Sequence, residues 1–183
     1  SLCNVSTATL AGNAPGVGSG LWTLVAGAAT ITTPASPTSG LTALTVGASA
    51  TLRWTISNGA CAASTSDVII AVAALPSASV AGANQALCNV TVATLAGNTH
   101  GVGSGLWTLV AGAATITTPT SAVSGVTALV VGSSATLRWT ISNGGCVPSA
   151  EDVIIAVADL PTVASAGANQ NIHIRGNWTY TAG

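Results

Sequence analysis

The sequence predicts an all-β chain: two tandem β-sandwich domains of about seven strands each, followed by a short C-terminal β tail. Three observations carry that prediction. The 183 residues repeat without a gap, residues 86–170 following 1–85 in the same register with about three quarters of positions identical. Short runs rich in Thr, Val and Ile are bounded by Gly, Asn and Pro, the pattern of strands and turns in a sandwich or barrel. No segment sustains the i, i+3, i+4, i+7 spacing of an amphipathic helix. A copy of this length can fold alone, unlike the units of solenoids, which need neighbours to complete a core.

The repeat sets the domain boundaries. Residues 1–75 form the first sandwich, 76–85 a linker or the first strand of the next, and 86–160 the second sandwich. Residues 161–170 are a second linker, and 171–183 begin a different β module or a strand-addition tail. In the first copy, strands are expected near 2–5, 6–11, 21–26, 28–33, 41–46, 50–57 and 67–73; the second copy follows at the same offset. The run Thr51-Leu-Arg-Trp-Thr-Ile-Ser57 is the cleanest of these. Leu52, Trp54 and Ile56 share one face and Thr51, Arg53, Thr55 and Ser57 the other, the period of a half-buried strand. Asn58-Gly59 then turns the chain, since both residues tolerate positive φ. The strand 67–73 returns beside it as the closing hairpin. Trp22 and Trp54, with Trp107 and Trp139 in the second copy, are the expected core anchors, because aromatic side chains bury about 150–250 Å2 each.

Composition limits the function. Only 4% of residues are charged, against about a quarter in ordinary soluble domains. The cations are Arg53, Arg138 and Arg175; the acids are Asp67, Glu151, Asp152 and Asp159. A net charge of −1 leaves no basic field to hold phosphates, which argues against a nucleic-acid partner. The longest apolar run, 68–75, falls well short of the roughly 20 residues needed to span a bilayer as a helix, so no membrane span is expected. Neither an initiator Met nor a signal-like segment opens the chain, and Ser1 aligns with Ala86 at the start of a copy. The expectation is an excerpt of a longer, processed protein. A surface this close to neutral favours association, offset by hydroxyl-rich faces, glycosylation or burial in an assembly.

Each copy holds two cysteines at the same spacing, so the economical expectation pairs Cys3 with Cys61 and Cys88 with Cys146. Closing such a loop contributes about 4 kcal/mol in the chain-entropy model. Disulfides persist outside the reducing cytosol, which implies export. Free buried thiols and a metal site are the rivals. Structural zinc wants clustered ligands such as Cys-x2-Cys, and none occur here. His100 stands where the first copy has Pro15, so it belongs to no repeated site.

Catalytic candidates are few. No nucleophile elbow, zincin helix or P-loop is present, and no cofactor is implied. Asp67 and Asp152 are the shared carboxylates, expected to cap a turn or meet a backbone N–H, with a weak calcium site as the alternative. Glu151 beside Asp152 makes a poor acid–base dyad, since adjacent strand residues point to opposite faces. Asn4, Asn89 and Asn177 open glycosylation sequons, a weak signal in an Asn- and Thr-rich chain. Trp22 and Trp107 have an alternative reading as exposed sugar-stacking platforms, which Gly18-Ser19-Gly20 would permit.

Residues 50–72 (ATLRWTISNGACAASTSDVIIAV) resemble the closing hairpin of PKD-like and Ig-like modules. Leu10-Ala-Gly-Asn, then Gly16-Val-Gly-Ser-Gly-Leu-Trp-Thr-Leu-Val and Ala29-Thr-Ile-Thr, are similar to tandem surface repeats of Bacteroidetes. Such repeats occur in giant secreted proteins, including gliding-motility adhesins exported by the type IX system. The resemblance implies an Ig-like sandwich without catalytic residues; the PKD signature Trp-Asp-Phe-Gly-Asp-Gly is replaced by Leu21-Trp22-Thr23-Leu24. The favoured function is a non-catalytic structural segment of an extracellular cell-surface rod, filament or adhesin. Its partners would be neighbouring copies or adjacent domains of a longer chain. The alternative is a carbohydrate-binding module for surface polysaccharide; an enzyme is a distant third.

Overall fold

The computed structural model describes residues 1–170 and Gly176, so the expected tail strand at 171–183 lies outside the described residues except for that glycine. Repeat 1 contains β1 (Leu2–Cys3), β2 (Ala8–Thr9), β3 (Ser19–Ala26), β4 (Thr30–Ile31), β5 (Gly40–Thr42), β6 (Ser49–Ser57) and β7 (Ser64–Ala73). Repeat 2 contains β8 (Gln85–Cys88), β9 (Ala93–Ala96), β10 (Ser104–Ala111), β11 (Thr115–Ile116), β12 (Val123–Thr127), β13 (Ser133–Ser142) and β14 (Ser149–Ala158). Each repeat stacks a four-stranded sheet, ordered β1-β7-β6-β3 or β8-β14-β13-β10, on a three-stranded one, β2-β5-β4 or β9-β12-β11. No helix occurs among the described residues. β1 runs parallel to the end of β7, with Cys3 opposite Ala73, and β8 runs parallel to the end of β14, with Cys88 opposite Ala158; the other pairs are antiparallel. The expected strands at 2–5, 6–11, 28–33 and 41–46 shrink to two or three residues each; β1 and β5 stop where Asn4 and Ala43 take positive φ, 48° and 56°.

β6 alternates as its sequence dictates: Ala50, Leu52 and Trp54 are buried, while Thr51 and Arg53 reach solvent. Trp54 lies opposite Trp22 on β3, and Trp139 opposite Trp107 on β10. The ring centroids are 5.0 and 5.1 Å apart, tilted by 38° and 37°. All four indoles are buried. Trp22 Nε1 donates to the Pro37 carbonyl at 3.1 Å, and Trp107 Nε1 to Ala122 at the same distance. Ser39 is fully buried beside this crossing, where its hydroxyl accepts from the Thr33 N–H at 3.0 Å and donates to the Gly40 carbonyl. Ser124 repeats the arrangement with Thr118 and Gly125.

Gly20 and Gly105 are the two places where a tryptophan ring demands glycine for space most sharply. The Trp54 and Trp139 rings lie directly over them, and a Cβ would meet ring carbons within bonding-like range. Overpacking of this kind costs about 1–3 kcal/mol when neighbours cannot shift. Gly20→Ala and Gly105→Ala are each expected to lower stability by about that amount, read from the urea midpoint. Gly16→Ala, with open space around it, serves as the neutral control.

Candidate functional site

Trp22 and Trp107 are not platforms. Each is sandwiched between its partner indole and the segment crossing the sheets, leaving no face for a sugar ring. The four tryptophans hold the two sheets together.

The outer face of each large sheet carries an ion pair that the strand register brings together. Arg53 on β6 lies opposite Asp67 on β7. Arg53 Nε and Nη2 donate to the two carboxylate oxygens at 2.6 and 2.8 Å, a bidentate fork. Arg138 and Asp152 repeat it at 2.7 and 2.8 Å. Asp67 and Asp152 therefore meet an arginine side chain instead of capping a turn, in contrast to the expectation. Among the described residues no group of three His, Cys, Asp or Glu side chains comes together.

The cysteines overturn the pairing expected from the repeat. Cys3 is bonded to Cys146 of the other copy, with Cα atoms 4.9 Å apart, while Cys61 and Cys88 are free and exposed. The reason is the length of β7. Cys3 sits beside its last residue, and Cys61 lies in the turn before its first. Ten residues at about 3.3 Å each separate them by roughly 30 Å. A disulfide requires Cα atoms within about 7 Å, so Cys3–Cys61 cannot form.

This disulfide anchors a junction between the repeats, where the most distinctive geometry of the chain lies. The Asn143-Gly-Gly-Cys146 turn of repeat 2 reaches back onto the end of repeat 1. There Asn143 Nδ2 donates to the Ala74 carbonyl at 2.8 Å, and the Gly145 N–H donates to Ser1 Oγ at 3.1 Å. Residues 77–84, which the sequence leaves open between linker and strand, pack onto repeat 2. The N–H groups of Ser79 and Ala81 donate to Ser149 Oγ and Glu151 Oε2 at 2.9 and 2.6 Å. Asn98 Oδ1 accepts from the Val80 N–H, and Asn84 Oδ1 accepts from the Ile154 N–H. Ala81 is buried within the second core. The segment thus covers the first half of the β14 edge, upstream of where β8 takes over. Sequence reasoning missed this junction. The one available signal was the shared Ala-Gly-Ala-Asn-Gln ending of the two connectors.

With this architecture in place, the chain can be compared with known proteins. No protein-family model matches it, and no curated protein sequence does. Among solved structures it is similar to murine CEACAM1b, with 13% identity, a TM-score of 0.58, and coverage of 87% of this chain and 95% of that one. Extracellular domains 3–5 of Drosophila OTK give 11% identity, a TM-score of 0.55, and coverage of 85% and 58%. The PKD domain from the KIAA 1837 protein matches at 25% identity and a TM-score of 0.40, over 49% of this chain and 92% of that one. The fold is that of tandem Ig-like β-sandwiches.

The ion pairs generate a pH prediction. Hydrogen bonds from Arg53 and Arg138 hold the Asp67 and Asp152 carboxyls below their ordinary range, with charge attraction adding to the effect and partial desolvation opposing it. A carboxyl whose pKa falls on folding contributes stability above its unfolded value and loses it as pH drops through the folded one. Stability relative to the Asp67→Asn/Asp152→Asn variant should hold steady from pH 7 to about 5, and the gap should close below about pH 4. Chemical denaturation across that range checks it.

Proposed function

We propose that this chain is a non-catalytic structural segment of an extracellular surface rod, filament or adhesin, which spaces or displays an adhesive element. The observation that carries this reading is the junction. Two independent cores are held in one mutual orientation by a covalent bond and by a segment of one repeat's connector built into the other. Such a junction transmits position, which a spacer needs and a catalyst does not. The surface itself carries an arginine–carboxylate pair on each repeat, among exposed Val, Leu and Ile side chains. A disulfide between repeats suits an oxidising, extracytoplasmic compartment. The resemblance to secreted surface repeats of Bacteroidetes is the finer form of this proposal, with neighbouring repeats as partners.

Intrinsic fluorescence tests it against glycan recognition. In a Trp178→Phe background, the four core indoles are expected to resist iodide quenching and to show no spectral shift with surface polysaccharides. A saturable glycan-dependent shift would overturn the structural reading. Cys3→Ser/Cys146→Ser is expected to keep both cores folded, since each is built from its own residues apart from the 77–84 segment. Small-angle scattering should then show a broader spread of repeat-to-repeat distances than in the parent chain.

A further inference from the structure

Two of the chain's three arginines, Arg53 and Arg138, occupy the same place on the two repeats, at the middle of the outer face of the large sheet. Each is held across two strands by its bidentate aspartate. The pair is thus a fixed dipole, with a guanidinium on one strand and a carboxylate on the next. Stability does not account for it, because ion pairs this exposed contribute little in water.

The rows on either side of the dipole are uncharged, since residues opposite one another and two apart along a strand share a face. On repeat 1 they are Leu21–Thr55–Thr65 and Thr51–Ile69. On repeat 2 they are Leu106–Thr140–Ala150 and Thr136–Ile154. Leu21 and Val25 are 48% and 49% exposed, and Leu106 and Val110 are 45% and 48% exposed. Repeat 1 has a repeat after it and repeat 2 has one before it, yet these exposures agree. A neighbouring repeat on either side therefore leaves this face open.

We propose that copies of the chain meet through this face, the outer side of a large sheet in one copy packing on the same side of a second copy. The two are related by a two-fold axis parallel to the strands, midway between the arginine strand and the aspartate strand. This deepens the structural reading above and rests on it. The dipole selects both the occupant and the axis. That axis sets Arg53 over Asp67 of the second copy and Asp67 over its Arg53, so each charge gains a second opposite neighbour as water leaves. A two-fold axis running across the strands would set like charge on like charge and is repelled. A ligand without a matching dipole would leave the charges desolvated and uncompensated. The face itself carries the matching arrangement, and the contact is isologous. Because Arg138 and Asp152 present the same dipole, unlike repeats match as well as like ones.

Packed sheet faces lie about 10 Å apart with their strands aligned to within about 30°. Three strands spaced about 4.8 Å, each covered for about seven residues, give a footprint of roughly 330 Å2 per partner. A standard interface has roughly 800 Å2. Association is therefore weak at a single repeat and strengthens with the number of repeats engaged together.

The 183-residue chain tests this in a Cys61→Ser/Cys88→Ser background, which keeps exposed thiols from linking copies. Sedimentation equilibrium up to millimolar concentration is expected to show reversible self-association. Reversing both dipoles, by Arg53→Asp/Asp67→Arg with Arg138→Asp/Asp152→Arg, keeps each pair within its chain and keeps two reversed chains complementary. Reversed chains should therefore self-associate as the parent does. Fluorescently labelled parent should pair with reversed chain at least about tenfold more weakly than with parent. Leu21→Lys/Leu106→Lys, at exposed positions outside both cores, should abolish association and leave the urea midpoint unchanged. That variant decides the matter even if the reversed chain fails to fold. A chain that stays monomeric throughout would overturn the proposal. So would mixed pairs forming as readily as like ones, or association that survives Leu21→Lys/Leu106→Lys. None of these outcomes touches the Cys3–Cys146 junction. A glycan-dependent fluorescence shift would instead strike at the structural reading itself.

Discussion

The contact between two indoles in each repeat is the constraint around which the rest of the fold is arranged. The chain has no Phe and no Met, so little else is large enough to span the space between two sheets. Burying 150–250 Å2 contributes at most about 4–6 kcal/mol per tryptophan, the largest single term available to these light cores. Neighbouring choices follow from it. Gly20 has no side chain because Trp54 lies over it, and residues 34–37 cross where the Pro37 carbonyl can accept from Trp22. The arrangement has a cost: Trp54 Nε1 and Trp139 Nε1 are buried without a partner, a penalty of about 1–3 kcal/mol each. Area burial outweighs it.

Much of this was legible in the sequence wherever the information was local. The period-2 alternation of residues 51–57 placed Trp54 inward and Arg53 outward, and the strand is where that pattern put it. The Arg53–Asp67 pair was not legible, because it depends on register across a six-residue turn whose conformation Asn-Gly alone does not determine. The cysteine pairing failed for a different reason. In a chain repeating every 85 residues, Cys3–Cys61 and Cys3–Cys146 respect the periodicity equally well. Only the length of β7 and the parallel placement of β1 decide between them, and both are long-range properties.

Near-identity of sequence does not give the two repeats identical environments. The side chains of Ile56, Val68 and Ile70 recur as Ile141, Val153 and Ile155, yet only the second set is sealed. The difference lies outside the strands, in a stretch too poor in large side chains to look like part of any core. Ala81 is small enough to fit against β14 and is flanked by backbone amides that Ser149 and Glu151 can satisfy. The unit that folds in repeat 2 therefore begins before its first strand. A boundary drawn at the sequence repeat would cut through its interior.

Where the sulfurs join also dictates how the chain meets a stretching force. Tension entering near Ser1 passes across the Cys3–Cys146 bond and leaves along β14, bypassing everything between. The 143-residue span inside that bond would otherwise pay out roughly 50 nm of extended backbone. While the bond is intact, repeat 1 bears no pull at all, and repeat 2 is strained only from residue 147 onward. Reducing agents would thus add those 143 residues to the length the segment can release under load.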